Sequence, residues 1–503
     1  MTSRREAMLA AVARKVRPSR RPMRAVRPPS RPASVGALTG SPAPTQAPRR
    51  ADLWQRKNRA RALVPAASAQ FELPRGLILS LVLVALAASS IQTVLQITRG
   101  TAILSPEMNG HWTFFPAASK SLWALRTLGM ASFLSAGFLA CLQGAIRSLD
   151  VPTLLAMAPY GLAACCWTFV GLASMPIRDF IVGPQSPLIW LLCLGVFAGT
   201  QREVWKHLDR IAGVAAWLLL PLMLFSVMKI KYYGRFDGVS PNDTYLSLVT
   251  WLSAYHLLSS PGTSVFRSAI RAIPLLGCCL VAVLSQGRGW VLQCLLALAL
   301  LTARPLFLRA PRALSKLLKN GALALAAVIA TVFFLLHFYP LAVEGLLGRL
   351  GQDSRTEQYS LFFAQVPWTT LINGAGPMAT YRFGRDLSYE FFDNQFIWMI
   401  FRGGIFIFVG YAVLVLLPGL RLIRRAQCEA DFAAGATLLL WTLGLAGLST
   451  YLNVNFNAQN YFIVTLAGYC HLRLRALACS RKAAACSFGA NPASPVGEVR
   501  RYR

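Results

Sequence analysis

The stretch VLSQGRGWVLQ, residues 283 to 293, sets one arginine, Arg288, inside an otherwise apolar run. A guanidinium at bilayer depth is expensive to hold. It is there either because it snorkels to the interface from a helix end or because it grips an anion. Arginine's planar fork matches phosphate oxygens two at a time, and flanking glycines let a ligand approach the backbone. A second constellation lies at DSRTEQYSLFFAQ. Ser354 and Glu357 have capping-box spacing, which predicts a short amphipathic helix with Arg355 in its first turn. The helix dipole disfavours a cation there, so a bound anion would explain Arg355 better than helix propensity does. Pro367-Trp368 should end that helix at the membrane interface. NGAGP, with Gly374 and Gly376, reads as a turn and as a weak phosphate cradle. In FFDNQFIWMIFRGG, Asp393 is either an N-cap or a carboxylate at the membrane edge that can act as general base. Arg402 lies about two turns further in and either faces an acid or ligand or serves helix packing.

The elements that must position these residues are membrane helices. The 503-residue chain is 55% hydrophobic and 14% charged, where a soluble chain carries about a quarter charged residues. Apolar runs near 76–97, 121–146, 151–173, 185–200, 210–229, 244–260, 271–286, 289–303, 320–339, 396–418, 433–449 and 457–472 predict an all-α polytopic protein of about twelve spans. No cleavable signal peptide is expected, because the first apolar run starts too late and is too long. Residues 1–73, rich in Arg, Pro, Ser and Ala, should be a disordered basic tail. The expected order is then transmembrane helices over 74–229, a module over 230–420 with a long outer loop at 340–395, helices over 421–472, and a basic tail over 473–503.

The net charge of +32 lies mostly in tails and short loops, which is the positive-inside pattern and does not call for nucleic acid. REVWKHLDR, ARPLFLRAPRALSKLLK and RLIRR become cytosolic loops, and both termini are cytosolic. Against that rule, Arg235, Arg288, Arg349, Arg355, Arg382 and Arg385 then fall on the outer side. The eleven cysteines follow no metal or disulfide spacing and read as small core residues, Cys165-Cys166 among them.

The order of these features resembles the bacterial O-antigen ligases and O-antigen or exopolysaccharide polymerases. The residues that carry the resemblance are SQGRG, then DSRTEQY, NGAGP and DNQFIWMIFRGGIFIF, with RFDGVSPNDTYLSL earlier; it covers roughly 230 to 420. Ligases of that family carry His where Asp393 stands, which favours the polymerase branch. The resemblance implies a GT-C-like helical architecture in the bacterial inner membrane, with no metal or other cofactor. It implies glycosyl transfer at the periplasmic face from an undecaprenyl-diphosphate-linked oligosaccharide. Its implied partners are that lipid-linked glycan, membrane lipids and a chain-length regulator. Arg288 and Arg355 would stabilise the departing diphosphate, with Arg235 helping, and Asp393 would be the base. Asn394, Arg382, Arg385, Arg402 and Trp368 would bind substrate, and Tyr381 and Tyr389 could stack on sugars. The competing classes are an O-antigen ligase and, outside enzymes, a lipid-linked oligosaccharide flippase. A flippase would be expected to show two repeated halves, and none is visible.

Overall fold

A computed structural model describes residues 76–99, 101–105, 111–115, 119–183, 186–232, 245–260, 265–285, 287–309, 313–348, 355–384, 386–389, 392, 394–448 and 454–489. All of them belong to one compact unit, Gln70–Arg503. The expected basic tail over 1–73, Arg235, Arg349, Arg385 and Asp393 lie outside the described residues.

With no water to receive backbone hydrogen bonds, a chain this apolar satisfies its N–H and C=O groups internally, as helices. In order these are α1 (Leu77–Arg99), a hairpin of β1 (Thr101–Ser105) and β2 (His111–Phe115), α2 (Lys120–Leu142), α3 (Val151–Ser174), α4 (Ile177–Val182), a 3-10 stretch (Pro187–Leu194) running into α5 (Gly195–Gly199), α6 (Arg202–Tyr232), α7 (Tyr245–Leu258), α8 (Val265–Leu284), α9 (Arg288–Phe307) and α10 (Ala313–Phe338). The former outer loop then supplies α11 (Pro340–Gly348), α12 (Arg355–Gln365), α13 (Trp368–Asn373) and a second hairpin, β3 (Tyr381–Phe383) with β4 (Asp386–Tyr389). The chain returns through α14 (Gln395–Gly403), α15 (Ile405–Tyr411), a π-turn (Ala412–Leu416), α16 (Leu417–Ile423), α17 (Glu429–Leu443), a second π-turn (Gly444–Leu448) and α18 (Ala458–Gly489).

Among the described residues ten helical segments are long and apolar enough to cross a membrane, and two shorter apolar ones, Pro187–Gly199 and Leu248–Leu258, lie between them. The protein is a helical, multi-pass membrane protein with two short hairpins added. α17 and α18 are the most enclosed spans; α10 and α3 are the least, and expose Phe333 and Phe169 as lipid-facing surface. Small residues let the central backbones touch. A methyl group on Gly199 would stand 1.9 Å from the Thr465 carbonyl oxygen, and one on Gly468 would stand 2.0 Å from that of Val196. Trp251, fully buried, meets Trp441 edge-on at 5.4 Å and Trp290 at 6.1 Å, which ties α7, α9 and α17 together.

Polar contacts gather at the two ends of this bundle. At one, the Arg421 guanidinium donates to Asp150 at 3.1 Å, Arg473 grips buried Asp431 at 2.6 and 2.8 Å, and the Tyr255 hydroxyl donates to Asp209 at 2.6 Å. Asp150 also caps α3 by accepting from Thr153 N–H. Burial acts to raise its pKa, but that hydrogen bond and the Arg421 charge outweigh it and hold the carboxyl below its ordinary value. At the other end Arg126 bridges Gly183 O and Asn455 Oδ1, and Arg178 lies over the Trp123 ring.

Four expectations change. REVWKHLDR is not a loop: it forms the first turns of α6, where Glu203 and Lys206 pair one turn apart. The run at 396–418 is not one helix; it breaks at Gly404, whose φ is +83°. The loop at 340–395 is built of three helices and a hairpin. Cys165 and Cys166 are exposed on the outside of the bundle rather than in its core, while Cys193, Cys278, Cys279, Cys294 and Cys470 are buried.

Candidate functional site

The segment 355–403 folds as a cap with its own small core. Phe362, Tyr381, Phe392 and Phe401 are buried together. Phe362 meets Tyr381, Phe392 and Phe401 edge-on at 4.9 to 5.2 Å, and each such pair is worth about 0.5–1.5 kcal/mol beyond area burial. Gln358 donates to the Tyr381 hydroxyl at 2.8 Å, and Gln365 exchanges two hydrogen bonds with the backbone of Arg382. Tyr381 is therefore a core residue rather than a ring offered to sugars. Tyr389 packs edge-on against it.

The cap is fastened to the bundle where α14 gives way to α15. Breaking a helix at Gly404 strands the carbonyls of its last turn, and such groups must find donors. Ala375 N–H donates to Phe401 O at 2.6 Å, Gly376 N–H to Arg402 O at 3.0 Å, and Trp167 Nε1 of α3 to Gly403 O at 3.0 Å. NGAGP is thus a docking segment. The N–H groups of Ala375 and Gly376 are engaged by carbonyls, which overturns its reading as a phosphate cradle. Gly374 and Gly404, both at positive φ, face each other: a methyl on either would come within 2.7 Å of backbone atoms around the other.

Three helix starts lie toward the cap end of the bundle. Arg288 is not inside the QGRG turn but is the first residue of α9, after Gly287 as N-cap, and is half-buried. Arg355 is the first residue of α12 and also half-buried. Asn394 caps α14, its Oδ1 accepting from Phe396 and Ile397 N–H at 3.0 and 3.4 Å. The N-cap role weighed for Asp393 therefore belongs to its neighbour. That Oδ1 is committed to the helix, so any hold of Asn394 on substrate would come from its side-chain NH2.

The second π-turn links the three. It packs against both α9 and α14. A methyl on its Gly447 would lie 3.7 Å from the Tyr359 hydroxyl and 3.9 Å from Asn394 Cα. Tyr359 is one helical turn after Arg355 on the same face of α12. Gln293 of α9 donates to Leu440 O of α17 at 3.1 Å. From that bond Arg288 lies five residues, about 7.5 Å, toward the cap along α9, and α17 runs the same way into the second π-turn. So α9, α12 and α14 begin at a common level around Gly447. Gln395, just inside α14, is buried; it donates to Phe392 O and accepts from Val454 N–H, which joins the cap to the segment before α18. Neither Gly447 nor Gln395 stands out in the sequence, since a small residue in an apolar run and a lone glutamine carry no spacing signal.

The remaining candidates are spread. Arg402 is buried, donates to Ala379 O at 3.2 Å and stacks over Trp398 at 5.2 Å, which makes it a clamp on the docking segment. Arg382 projects from β3 into solvent and Trp368 is 70% exposed on α13. Asp393, Arg385 and Arg235, the rest of the expected set, lie outside the described residues. No protein-family model matches the chain, and no curated protein matches it.

Proposed function

We propose that this chain is a membrane glycosyltransferase that joins undecaprenyl-diphosphate-linked oligosaccharide repeat units into a polymer at the periplasmic face of the bacterial inner membrane. The observation that carries the reading is the gathering of the starts of α9, α12 and α14 around Gly447. It brings Arg288, Arg355 and Asn394, the sequence neighbour of Asp393, to one end of the bundle, where the cap joins it.

The chemistry follows from those residue types. An acceptor sugar hydroxyl attacks the anomeric carbon of the donor glycan. The bond from that carbon to the diphosphate oxygen breaks, and its electron pair leaves with the diphosphate. Arg288 and Arg355 meet the growing negative charge, which favours the transition state over the ground state. The proton of the acceptor hydroxyl goes to the Asp393 carboxylate. Sidedness supports the same picture. Arg202, Lys206, Arg210, Lys316, Arg424 and Arg425 lie at the end opposite the cap, and the positive-inside rule makes that end cytosolic. Counting the two shorter apolar helices as crossings gives twelve spans, with both termini in the cytosol and the cap outside.

The test is the size of carrier-linked glycan in cells lacking the protein, complemented with wild type, Arg288→Ala, Arg355→Ala or Asp393→Ala. A polymerase leaves single repeat units on the carrier, and the variants fail to restore long chains. Long chains that persist on the carrier but never reach a final acceptor would instead identify a ligase. Full polymer output from Arg288→Ala would remove the diphosphate role.

A further inference from the structure

The docking segment lies deeper than a periplasmic loop should. Its partner Gly403 O is bonded to Trp167, which stands seven residues before the end of α3, or about 10 Å along the helix. Beyond Trp167 toward that end, Phe169, Val170 and Leu172 are 71%, 48% and 52% exposed on the outside of the bundle. Such a face belongs against lipid. On the other side of the joint the span Ile405–Ile423 begins two residues after Gly403. The joint between Gly374–Gly376 and Gly403–Gly404 is therefore level with lipid-facing helix, not above it.

The sequence fits that depth. No Asp, Glu, Lys or Arg occurs between Glu357 and Arg382. Within this stretch Trp368, Ile372 and Met378 are 70%, 42% and 54% exposed. Irregular backbone is tolerated at membrane depth only where its polar groups are satisfied within the protein. Much of the segment's backbone is satisfied in this way: Gly374 N–H reaches Thr370 O, Ala375 and Gly376 N–H reach the stranded α14 carbonyls, Ala379 N–H reaches Gly376 O, and Ala379 O accepts from Arg402. Residues 368–379 hold only the short helix α13, which ends at Gly374, and the chain then folds back onto Phe401–Gly404, a path that suits a re-entrant or interfacial element.

We propose that residues 368–379 form a re-entrant element seated in the cap-side leaflet of the bilayer, with Trp368, Ile372 and Met378 turned to lipid acyl chains. The continuity with two lipid-facing spans, α3 and Ile405–Ile423, argues for lipid rather than a second copy of the chain as the occupant. This does not depend on the glycosyltransferase reading, since it uses only depth, exposure and backbone satisfaction. The element would fix the height of the cap, and with it the height of the α14 start, relative to the headgroups.

The experiment places the photo-crosslinker p-benzoylphenylalanine singly at Trp368, Ile372, Met378 or, as control, Arg382, in full-length protein reconstituted in phosphatidylethanolamine–phosphatidylglycerol nanodiscs. Each variant is first checked for monodispersity, and the exposed positions at 368 and 378 keep the test available if 372 disturbs folding. Phospholipid adducts at 368, 372 and 378 well above those at 382 are expected. Adducts to a second copy of the chain, or lipid capture no greater than at 382, would overturn the proposal.

Discussion

Gly404→Ala should release the cap from the bundle. Gly404 has φ +83° and ψ 173°, a region open essentially to glycine alone, so any other residue there costs about 1–3 kcal/mol in backbone strain. The added methyl would also stand 2.7 Å from Ile372 O and 2.8 Å from Asn373 C and O. Those are backbone atoms of the docking segment, which can yield only by moving off α14. Retreat lengthens the bonds from Ala375 and Gly376 to Phe401 O and Arg402 O, each worth about 0.5–1.5 kcal/mol net. Strain and lost bonds together come to roughly 2–6 kcal/mol of local destabilisation. Two controls separate this from a general glycine effect. Gly384 has φ +59° and open space around it, so Gly384→Ala should cost only about 1–2 kcal/mol. Gly321 is helical and open, so Gly321→Ala should be neutral or stabilising by up to about 1 kcal/mol. The assay is thermal unfolding of purified protein with limited proteolysis of the 355–394 region as a local readout. Gly404→Ala should be nicked there first, below the melting temperature of the bundle. If it melts and resists protease like Gly321→Ala, the docking argument is refuted.

Other outcomes follow from the same contacts. Arg473→Leu leaves the fully buried Asp431 carboxylate without its bidentate partner and should destabilise by about 3–5 kcal/mol; adding Asp431→Leu should recover much of that loss in thermal unfolding. Gly199→Val drives a side chain into Thr465 O at the α5–α18 crossing, so the folded yield should collapse, whereas Gly161→Ala, with open space around it, should express normally. The Asp150 carboxyl is held below its ordinary pKa in the folded protein. Its contribution is complete above the unfolded value of about 3.9 and is lost as pH falls through the lower folded value. Melting temperature against pH should therefore fall less steeply in acid for Asp150→Asn than for wild type, by a small amount because the group is half-exposed.

Hydropathy locates the spans because about twenty apolar residues are needed to cross a bilayer, and that signal is local. What it cannot see is backbone conformation. In FRGGIF the glycine pair is a weak turn signal inside a run that hydropathy reads as one span, and the break takes its meaning only when the stranded carbonyls of α14 and the N–H groups of 374–376 are placed together, some thirty residues apart in the chain. The same holds for Tyr381: on an outer loop it looks like a sugar-stacking ring, and only the joining of α12, β3 and α14 makes it core. REVWKHLDR looks like a loop because its charges outweigh its apolar residues, yet the helix of the span simply continues into it. Arg288 and Arg355 were legible as anomalous cations. The capping-box spacing also places Arg355 in the first turn of a helix; that Arg288 opens a helix, and that both helices begin around Gly447, depends on the packing of α9, α14 and the second π-turn and not on any motif.

The one-residue register between Asp393 and Asn394 offers a sharper test of the site than removing either. Asn394 Oδ1 caps α14 through two N–H groups. Asparagine and aspartate cap about equally well, while alanine loses about 1 kcal/mol. Asn394→Asp therefore keeps the helix start and adds a negative charge that the helix dipole favours, but it removes the side-chain NH2. If Asn394 acts only as a cap that aims the preceding residue, Asn394→Asp should retain polymer output and Asn394→Ala should lose part of it through a looser helix start. If the NH2 group holds a sugar hydroxyl, the order reverses in its severity: Asn394→Asp loses activity as fully as alanine while its thermal stability matches wild type. Output and melting temperature measured on the same two variants thus separate a positioning role from substrate contact. Equal activity and equal stability in both would mean that the start of α14 does not set the geometry of the reaction, and the convergence around Gly447 would no longer support the proposed chemistry.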